Sequence, residues 1–234
     1  MNGNVGRGVE MQPQLLVADF AGTMFLEEGA VVVAYRRAFD TFGIEASDAD
    51  IAARRGASKR VVFEELAART YPASESSAVA IRALAAFEAA LEDEYSTGPV
   101  QEIPGAGATV EVLRSNGVRV ALASGFDRRL VDLLLGRLGW TDLFDLSIAG
   151  NDVKAGRPSP AIIHHAMATL GVHDVGTVAA VGDTPLDLQA GTNARAGWVI
   201  GVLSGAHGIE TLGMTRHTHL LPSVALLPEL FGLR

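Results

Sequence analysis

The sequence predicts an α/β protein, a parallel sheet covered by helices on both faces and interrupted once by a purely helical insertion. Two patterns predict it. Over most of the 234 residues, short continuous apolar runs alternate with stretches of helical periodicity, and strands that read as unbroken apolar runs are those buried on both faces of a parallel sheet. Residues of roughly 28–98 depart from that rhythm, with helical patterns and no strand pattern. Glu27-Glu28-Gly29 and the Gly- and Pro-bearing stretch Thr97–Gly105 flank them as hinges would. The expected division is a core of residues 1–27 and 98–234 with a helical domain of residues 28–97.

Taken in order, Leu15–Asp19 (LLVAD) is the first strand. In the insertion, Tyr35–Phe42, Lys59–Thr70 and the alanine-rich Ser76–Tyr95 are helical. Beyond it, Gly107–Asn116 is a helix, Val118–Ser124 (VRVALAS) a strand ending at Ser-Gly, and Asp127–Leu138 a helix with leucines at helical spacing. Leu143–Ala149 reads as a strand, Pro160–Leu170 as a helix, Thr177–Asp183 as a strand, Leu186–Ala196 as a helix and Trp198–Leu203 as a strand. Thr218–Leu221 and Val224–Phe231 close the series as strand and helix. Such alternation builds a three-layer, Rossmann-like core.

Hydrophobic residues make up 48% of the chain and charged residues 20%, a globular composition without room for a long disordered region. A net charge of −8 argues against nucleic-acid binding. No cysteine is present, which excludes disulfides, thiolate catalysis and zinc–sulfur sites. No window approaches the roughly 18 uninterrupted apolar residues of a membrane span. The tail MNGNVGRGVEMQPQ lacks the apolar core of a signal peptide, so a cytoplasmic protein with a frayed N-terminus and no membrane partner is expected.

Ligands of open parallel sheets bind at the carboxyl ends of the strands. Three strands here end in residues able to do chemistry: Asp19, Ser124 and Asp183. Asp183 alone, in Gly-Asp-Thr-Pro, would read as a helix cap; the coincidence of three marks a site. The constellation resembles the haloacid dehalogenase superfamily, whose members mostly transfer phosphoryl groups. Asp19-Phe20-Ala21-Gly22-Thr23 matches its first motif, Ser124-Gly125 its second, Gly156-Arg157-Pro158 its third and Gly182-Asp183-Thr184-Pro185-Leu186-Asp187 its fourth. The resemblance implies that the insertion is a helical cap and that Asp19 is a nucleophile forming an aspartyl-phosphate. It gives Ser124 and Arg157 to the phosphoryl oxygens, with Gly22 and Gly125 as turns that bring backbone amides close. It assigns a Mg²⁺ ion to Asp19, Asp183 and the Ala21 carbonyl, with Asp187, one helical turn on, as a direct or outer partner. The other reading of Asp187 is a solvated carboxylate in a helix's first turn.

Most phosphatases of this superfamily carry a second aspartate where Ala21 stands. It protonates the leaving alkoxide and activates water, help worth about 10²–10⁴ in rate. The phosphonatase branch dispenses with it: a cap lysine forms an imine with the substrate aldehyde, and the protonated imine accepts the electrons of the breaking C–P bond. Arg55-Gly56-Ala57-Ser58-Lys59 matches that branch's G-x-x-K segment, and Ser124–Arg128, Ala155–Pro158 and Asn193-Ala194 continue the likeness. Arg55 stands in place of a methionine, Val62 of a histidine, and Met24-Phe25 of Thr-Val. These changes are expected to reshape the pocket around the organic half of the substrate. Arg54, Arg55 and Arg60 would lower the Lys59 pKa where they face it; the other reading of Lys59 is a basic patch clamping an anion, or a solvated face.

The expected activity is therefore a Mg²⁺-dependent, phosphonatase-like hydrolase acting on a small phosphonate such as phosphonoacetaldehyde or an analogue. Its alternatives are a phosphate-monoester phosphatase of the phosphoglycolate phosphatase kind and a catalytically weak phosphate-binding protein. Dehalogenation would leave Asp183 and Asp187 unexplained. His217-x-His219 has strand spacing without a carboxylate or cysteine partner and gives no zinc site, and His207 follows the last main strand at the site's edge. A homodimer through helix 76–95 is left open.

Overall fold

The computed structural model describes residues 12–234, and the N-terminal tail through residue 11, read above as frayed, lies outside them. Six strands, β1 (Leu15–Asp19), β2 (Arg119–Ala123), β3 (Leu146–Ile148), β4 (Val178–Gly182), β5 (Trp198–Val202) and β6 (His219–Leu221), form one sheet in the order β3-β2-β1-β4-β5-β6. Every neighbouring pair is parallel. β1 and β4 are buried along their whole length.

Between β1 and β2 the chain forms only helices: α1 (Ala30–Phe42), α2 (Asp48–Ala52), α3 (Lys59–Thr70) and α4 (Ala73–Thr97). They pack around an aromatic cluster in which the Tyr35 ring centroid lies 4.5 Å from Phe87 and 5.5 Å from Phe63. Periodicity places the start of α1 at Tyr35, but the helix begins at Ala30. The uniformly apolar AVVV carries no helical repeat, and the start is set instead by Glu27, whose Oε1 accepts the Gly29 and Val31 N–H groups at 2.9 and 3.0 Å. α2 is likewise absent from the sequence reading, because a Ser47–Asp50 capping box rather than periodicity holds it.

Successive β1 residues point to opposite sides of the sheet. Leu16 and Ala18 join one apolar cluster with Val110 of α5 (Ala106–Ser115) and Leu134 of α6 (Arg128–Leu138). Leu15 and Val17 join another with Ile162 of α7 (Ala161–Leu170) and Ala190 of α8 (Pro185–Ala194). The sheet is thus covered on both faces, the three-layer Rossmann-like arrangement that the apolar runs imply.

Two elements are shorter than the sequence suggests. β3 begins at Leu146, because the Asp145 side chain accepts the Val120 N–H at 2.8 Å, where a strand carbonyl would otherwise pair. The expected Val224–Phe231 helix is a 3₁₀ turn, Val224–Leu226, followed by a single turn of helix, Leu227–Leu230; Pro228 has no N–H with which to join the two. Among the described residues no helix is long and apolar enough to cross a membrane.

Candidate active site

Strand register brings the chemistry to one edge of the sheet. Asp19, the last residue of β1, pairs with Ala123, the last of β2, so Ser124 follows beside it. On the other flank of β1, β4 ends at Gly182 and delivers Asp183. After Asp19 the chain turns tightly, with the Met24 N–H donating to the Phe20 carbonyl at 2.8 Å. Gly22 sits in this turn at φ +83°, and a Cβ there would stand 2.5 Å from Asp183 Oδ2, so only glycine fits. The same Asp183 oxygen accepts the Ala206 N–H at 2.6 Å from the loop after β5, and its Oδ1 accepts Thr23 Oγ1 at 3.3 Å.

Arg157 occupies the middle of the site. Its Nη1 lies 2.6 Å from Asp19 Oδ1, its Nε lies 2.8 Å from Asp187 Oδ1, and its Nη2 donates to the Ala123 carbonyl at 3.0 Å. Asp187 is buried, not a solvated carboxylate. Its Oδ2 accepts both the Thr184 N–H at 3.0 Å and Thr184 Oγ1 at 2.5 Å, in the capping box that starts α8. Both Asp187 oxygens are therefore engaged, one by a helix cap and one by Arg157. Ser124 Oγ accepts the Phe126 N–H at 3.1 Å, which orients the hydroxyl toward the same edge.

Carboxylate oxygens of Asp19, Asp183 and Asp187 lie within 4.8 Å of one another. Burial, together with the Asp187 charge and against the pull of Arg157, pushes Asp19 up to about 6. Burial and the charges of Asp19 and Asp187 push Asp183 well above the ordinary carboxylate range. Of these three buried carboxylates Arg157 pairs directly with two, and Asp183 has no ion-pair partner among the described residues, so a hard divalent cation with oxygen ligands fits the cluster.

The helical insertion closes the other side. Its loop before α3 presses on the core: a Cβ on Gly56 would stand 2.6 Å from Thr184 Oγ1, and one on Gly156 would stand 2.9 Å from the Ser58 Cβ. Lys59, the first residue of α3, is carried over the site, its Nζ 5.7 Å from the Tyr35 ring centroid. Burial lowers its pKa to about 8; Arg157 and Arg55 push the same way, while Asp19 and Glu27 oppose them.

Asp19, Ala21, Gly22, Lys59, Ser124, Gly125, Arg157, Asp183 and Asp187 all line one cavity of 170 Å³. Arg55 joins them, but Arg54 is tied to Asp50 and Glu65, and Arg60 to Glu64, so neither tunes Lys59 as expected. Val62, Met24 and Phe25 do not reshape the pocket either; they are at most 1% exposed within the apolar core. Gly125 needs no special backbone, since a Cβ there would only touch the Ala57 carbonyl at 3.9 Å. The sequence reading missed Glu27 and Thr184 as lining residues, whereas Ser204–Ala206, in the segment it set at the site's edge, do line the cavity. Glu27 carried a signal, an acidic residue at the N-terminus of a helix, but it stood in a stretch read as a hinge. Among the described residues, His217 and His219 bond to Thr215 and Thr218 nearby.

Fold and site together define a hydrolase of the Rossmann-like α/β class. Residues 13–195 match the family profile described as haloacid dehalogenase-like hydrolase, and the chain belongs to that family. It is 35% identical over 127 residues to a phosphonoacetaldehyde hydrolase of Bacteroides fragilis, a match covering 53% of this chain and 46% of that one, so the alignment spans less than half the relative's length. A phosphonoacetaldehyde hydrolase of Latilactobacillus sakei is 27% identical over 222 residues, covering 89% of this chain and 77% of that one. Among solved structures, a phosphonoacetaldehyde hydrolase-like protein from Oleispira antarctica superposes with a TM-score of 0.80 at 19% identity, covering 99% of this chain and 95% of that one. A hydrolase from Pseudomonas syringae does so with a TM-score of 0.81 at 21% identity, covering 93% and 97%. At these identities the structural likeness speaks for the fold.

Proposed function

We propose that the protein is a Mg²⁺-dependent, phosphonatase-like hydrolase, with residues 28–97 as a cap over a core of residues 1–27 and 98–234, cleaving the C–P bond of phosphonoacetaldehyde or an analogue. The observation that carries this reading is Lys59: a primary amine with its pKa brought down to about 8 lines the same chamber as Asp19, where Ala21 offers no oxygen acid.

The chain's residues divide the work as follows. Neutral Lys59 adds to the substrate carbonyl, and loss of water gives an imine protonated on nitrogen. Asp19 attacks phosphorus; the C–P bond breaks, its electron pair passes through carbon to the iminium nitrogen, and an enamine and an aspartyl-phosphate result. Water opens the aspartyl-phosphate and releases phosphate. The enamine takes a proton on carbon, and a second water hydrolyses the iminium, freeing the aldehyde and Lys59. Arg157 and Ser124 hold the phosphoryl oxygens, and Asp187 holds Arg157. A Mg²⁺ ion on Asp19, Asp183 and the Ala21 carbonyl would supply the remaining positive charge. Glu27, pinned through Oε1 at the start of α1, keeps its other oxygen to pass protons between amine, water and enamine.

Borohydride added with phosphonoacetaldehyde tests this reading: it should reduce the imine and leave a stable adduct on Lys59. Turnover of that substrate by Lys59→Ala, without any adduct on the wild type, would remove the imine step.

Glu27 also favours a second reading, a phosphate-monoester phosphatase of the phosphoglycolate phosphatase kind in which this carboxyl replaces the acid missing at Ala21. Faster turnover of phosphoglycolate than of phosphonoacetaldehyde would select it.

A further inference from the structure

A second cavity, of 630 Å³, adjoins the catalytic chamber. Leu84 and Phe87 of α4 line one wall, and Leu130 of α6, Val153 and Ile162 line the other. The two cavities share Gly56, Lys59, Ser124, Gly125, Phe126 and Arg157, so the amine stands where one space meets the next. Size separates their roles. Small-molecule sites run to roughly 300–1,000 Å³; at 170 Å³ the catalytic chamber falls below that range and at 630 Å³ its neighbour lies inside it. The smaller space suits a phosphoryl group and the carbons next to it, and the larger one is a predominantly apolar volume beyond Lys59.

Charged side chains interrupt that apolar character, among them Arg60, Glu88, Asp127 and Lys154. Glu88 of α4 is half-buried in the cavity wall; burial, then the Asp127 charge, pushes its carboxyl up, and no cation offsets either effect. A carboxyl so placed lacks a donor that a ligand could bring.

Building on the imine reading above, we propose that the substrate is a 2-oxoalkylphosphonate longer than phosphonoacetaldehyde. Its phosphoryl group enters the catalytic chamber, its carbonyl carbon meets Lys59, and an apolar chain on the far side of the carbonyl fills the second cavity, ending in a hydroxyl or ammonium group at Glu88. The junction carries Lys59 together with Ser124 and Arg157, so the reacting bond is assigned to it and the extension to the far side of the carbonyl. The chemistry balances as for the aldehyde: the ketone condenses with Lys59 and loses water, C–P cleavage leaves an enamine and phosphorylated Asp19, and protonation on the former phosphonate carbon followed by hydrolysis releases a methyl ketone and phosphate.

Calorimetric titration of Asp19→Asn protein, which binds without turnover, with 2-oxoalkylphosphonates of increasing length tests the cavity directly. Affinity is expected to rise roughly fourfold per added methylene until the cavity is full, and a terminal ammonium should add affinity that Glu88→Gln loses. Leu84→Trp and Val153→Trp fill the cavity from the helical insertion and from the core respectively. In each variant whose thermal unfolding remains cooperative, the long-to-short affinity ratio should fall at least tenfold. Affinity that does not grow with length, including no binding at any length, overturns the proposal, as does a ratio unchanged in both variants. The imine reading fails separately: length dependence without a borohydride adduct, and turnover of phosphate esters of matching length, would keep the cavity assignment and discard the C–P chemistry. An adduct with phosphonoacetaldehyde but no length dependence would do the reverse.

Discussion

Arg157 Nη1 and Asp19 Oδ1 lie 2.6 Å apart, with both side chains less than a tenth exposed. A buried ion pair of this kind is costly to break from one side, because the remaining charge has nowhere to go; the usual loss is about 3–5 kcal/mol. Arg157→Met should therefore lower Tm by about 6–20 °C and abolish turnover, as thermal denaturation and a phosphate-release assay would read. Arg157→Lys cannot reach Asp19 and Asp187 together, so it should recover only part of either loss.

Removal of the divalent ion is the second test. At a Mg²⁺ concentration about 100 times its Kd, binding to the folded state alone should add about 2.7 kcal/mol, or about 5–10 °C in Tm for a chain of this size. EDTA should reverse the gain, and Asp183→Asn should not show it. A Tm indifferent to Mg²⁺ up to tens of millimolar would remove the ion from the site.

Lys59 sets the pH dependence. Burial lowers its pKa from the usual 10.5 to about 8, and the amine must be neutral to add to a carbonyl. The rate of borohydride-trapped adduct formation should therefore rise with pH and level off above about 8, not above 10. At pH 7 the lowered pKa makes the neutral fraction roughly 300 times larger than that of an ordinary lysine. Lys59→Arg should give no adduct at any pH.

Glu27→Gln separates proton transfer from helix capping. The Gln side-chain oxygen can still accept the Gly29 and Val31 N–H groups, so Tm should change little. kcat should fall by about 10²–10³ with KM nearly constant. Equal losses of stability and activity would make Glu27 a capping residue only.

Ala21→Asp places an oxygen acid beside Asp19, the proposed nucleophile. Phosphate-ester turnover should rise by about 10², while C–P cleavage, which in the proposed reaction uses a Lys59 iminium instead, should gain nothing. The ratio of the two rates in one substrate panel is the readout.

The sheet edge was legible because three largely apolar runs stop on a residue able to do chemistry: Asp19, Ser124 and Asp183. Arg157 and Asp187 were legible only as motif positions. Their joint task, one guanidinium spanning two carboxylates, arises from α8 packing on β4, the strand beside β1, which no local pattern encodes. Glu27 was missed because its helix opens on AVVV, a stretch without periodicity. Val62, Met24 and Phe25 were misplaced because a position within a motif does not say whether a side chain ends in the cavity or in the aromatic cluster beneath it. The second cavity was invisible for the same reason, being bounded by residues as far apart in the chain as Gly56 and Ile162.

At Gly56 there is room for a hydrogen and nothing more, since Thr184 Oγ1 fills the space a methyl would need. That hydroxyl steadies Asp187, Asp187 steadies Arg157, and Arg157 steadies Asp19. How snugly the two halves of the molecule seat is thus transmitted, link by link, to the nucleophile. A bulkier residue at position 56 would therefore press first on Thr184, and its effect would reach Asp19 only through the contacts that follow.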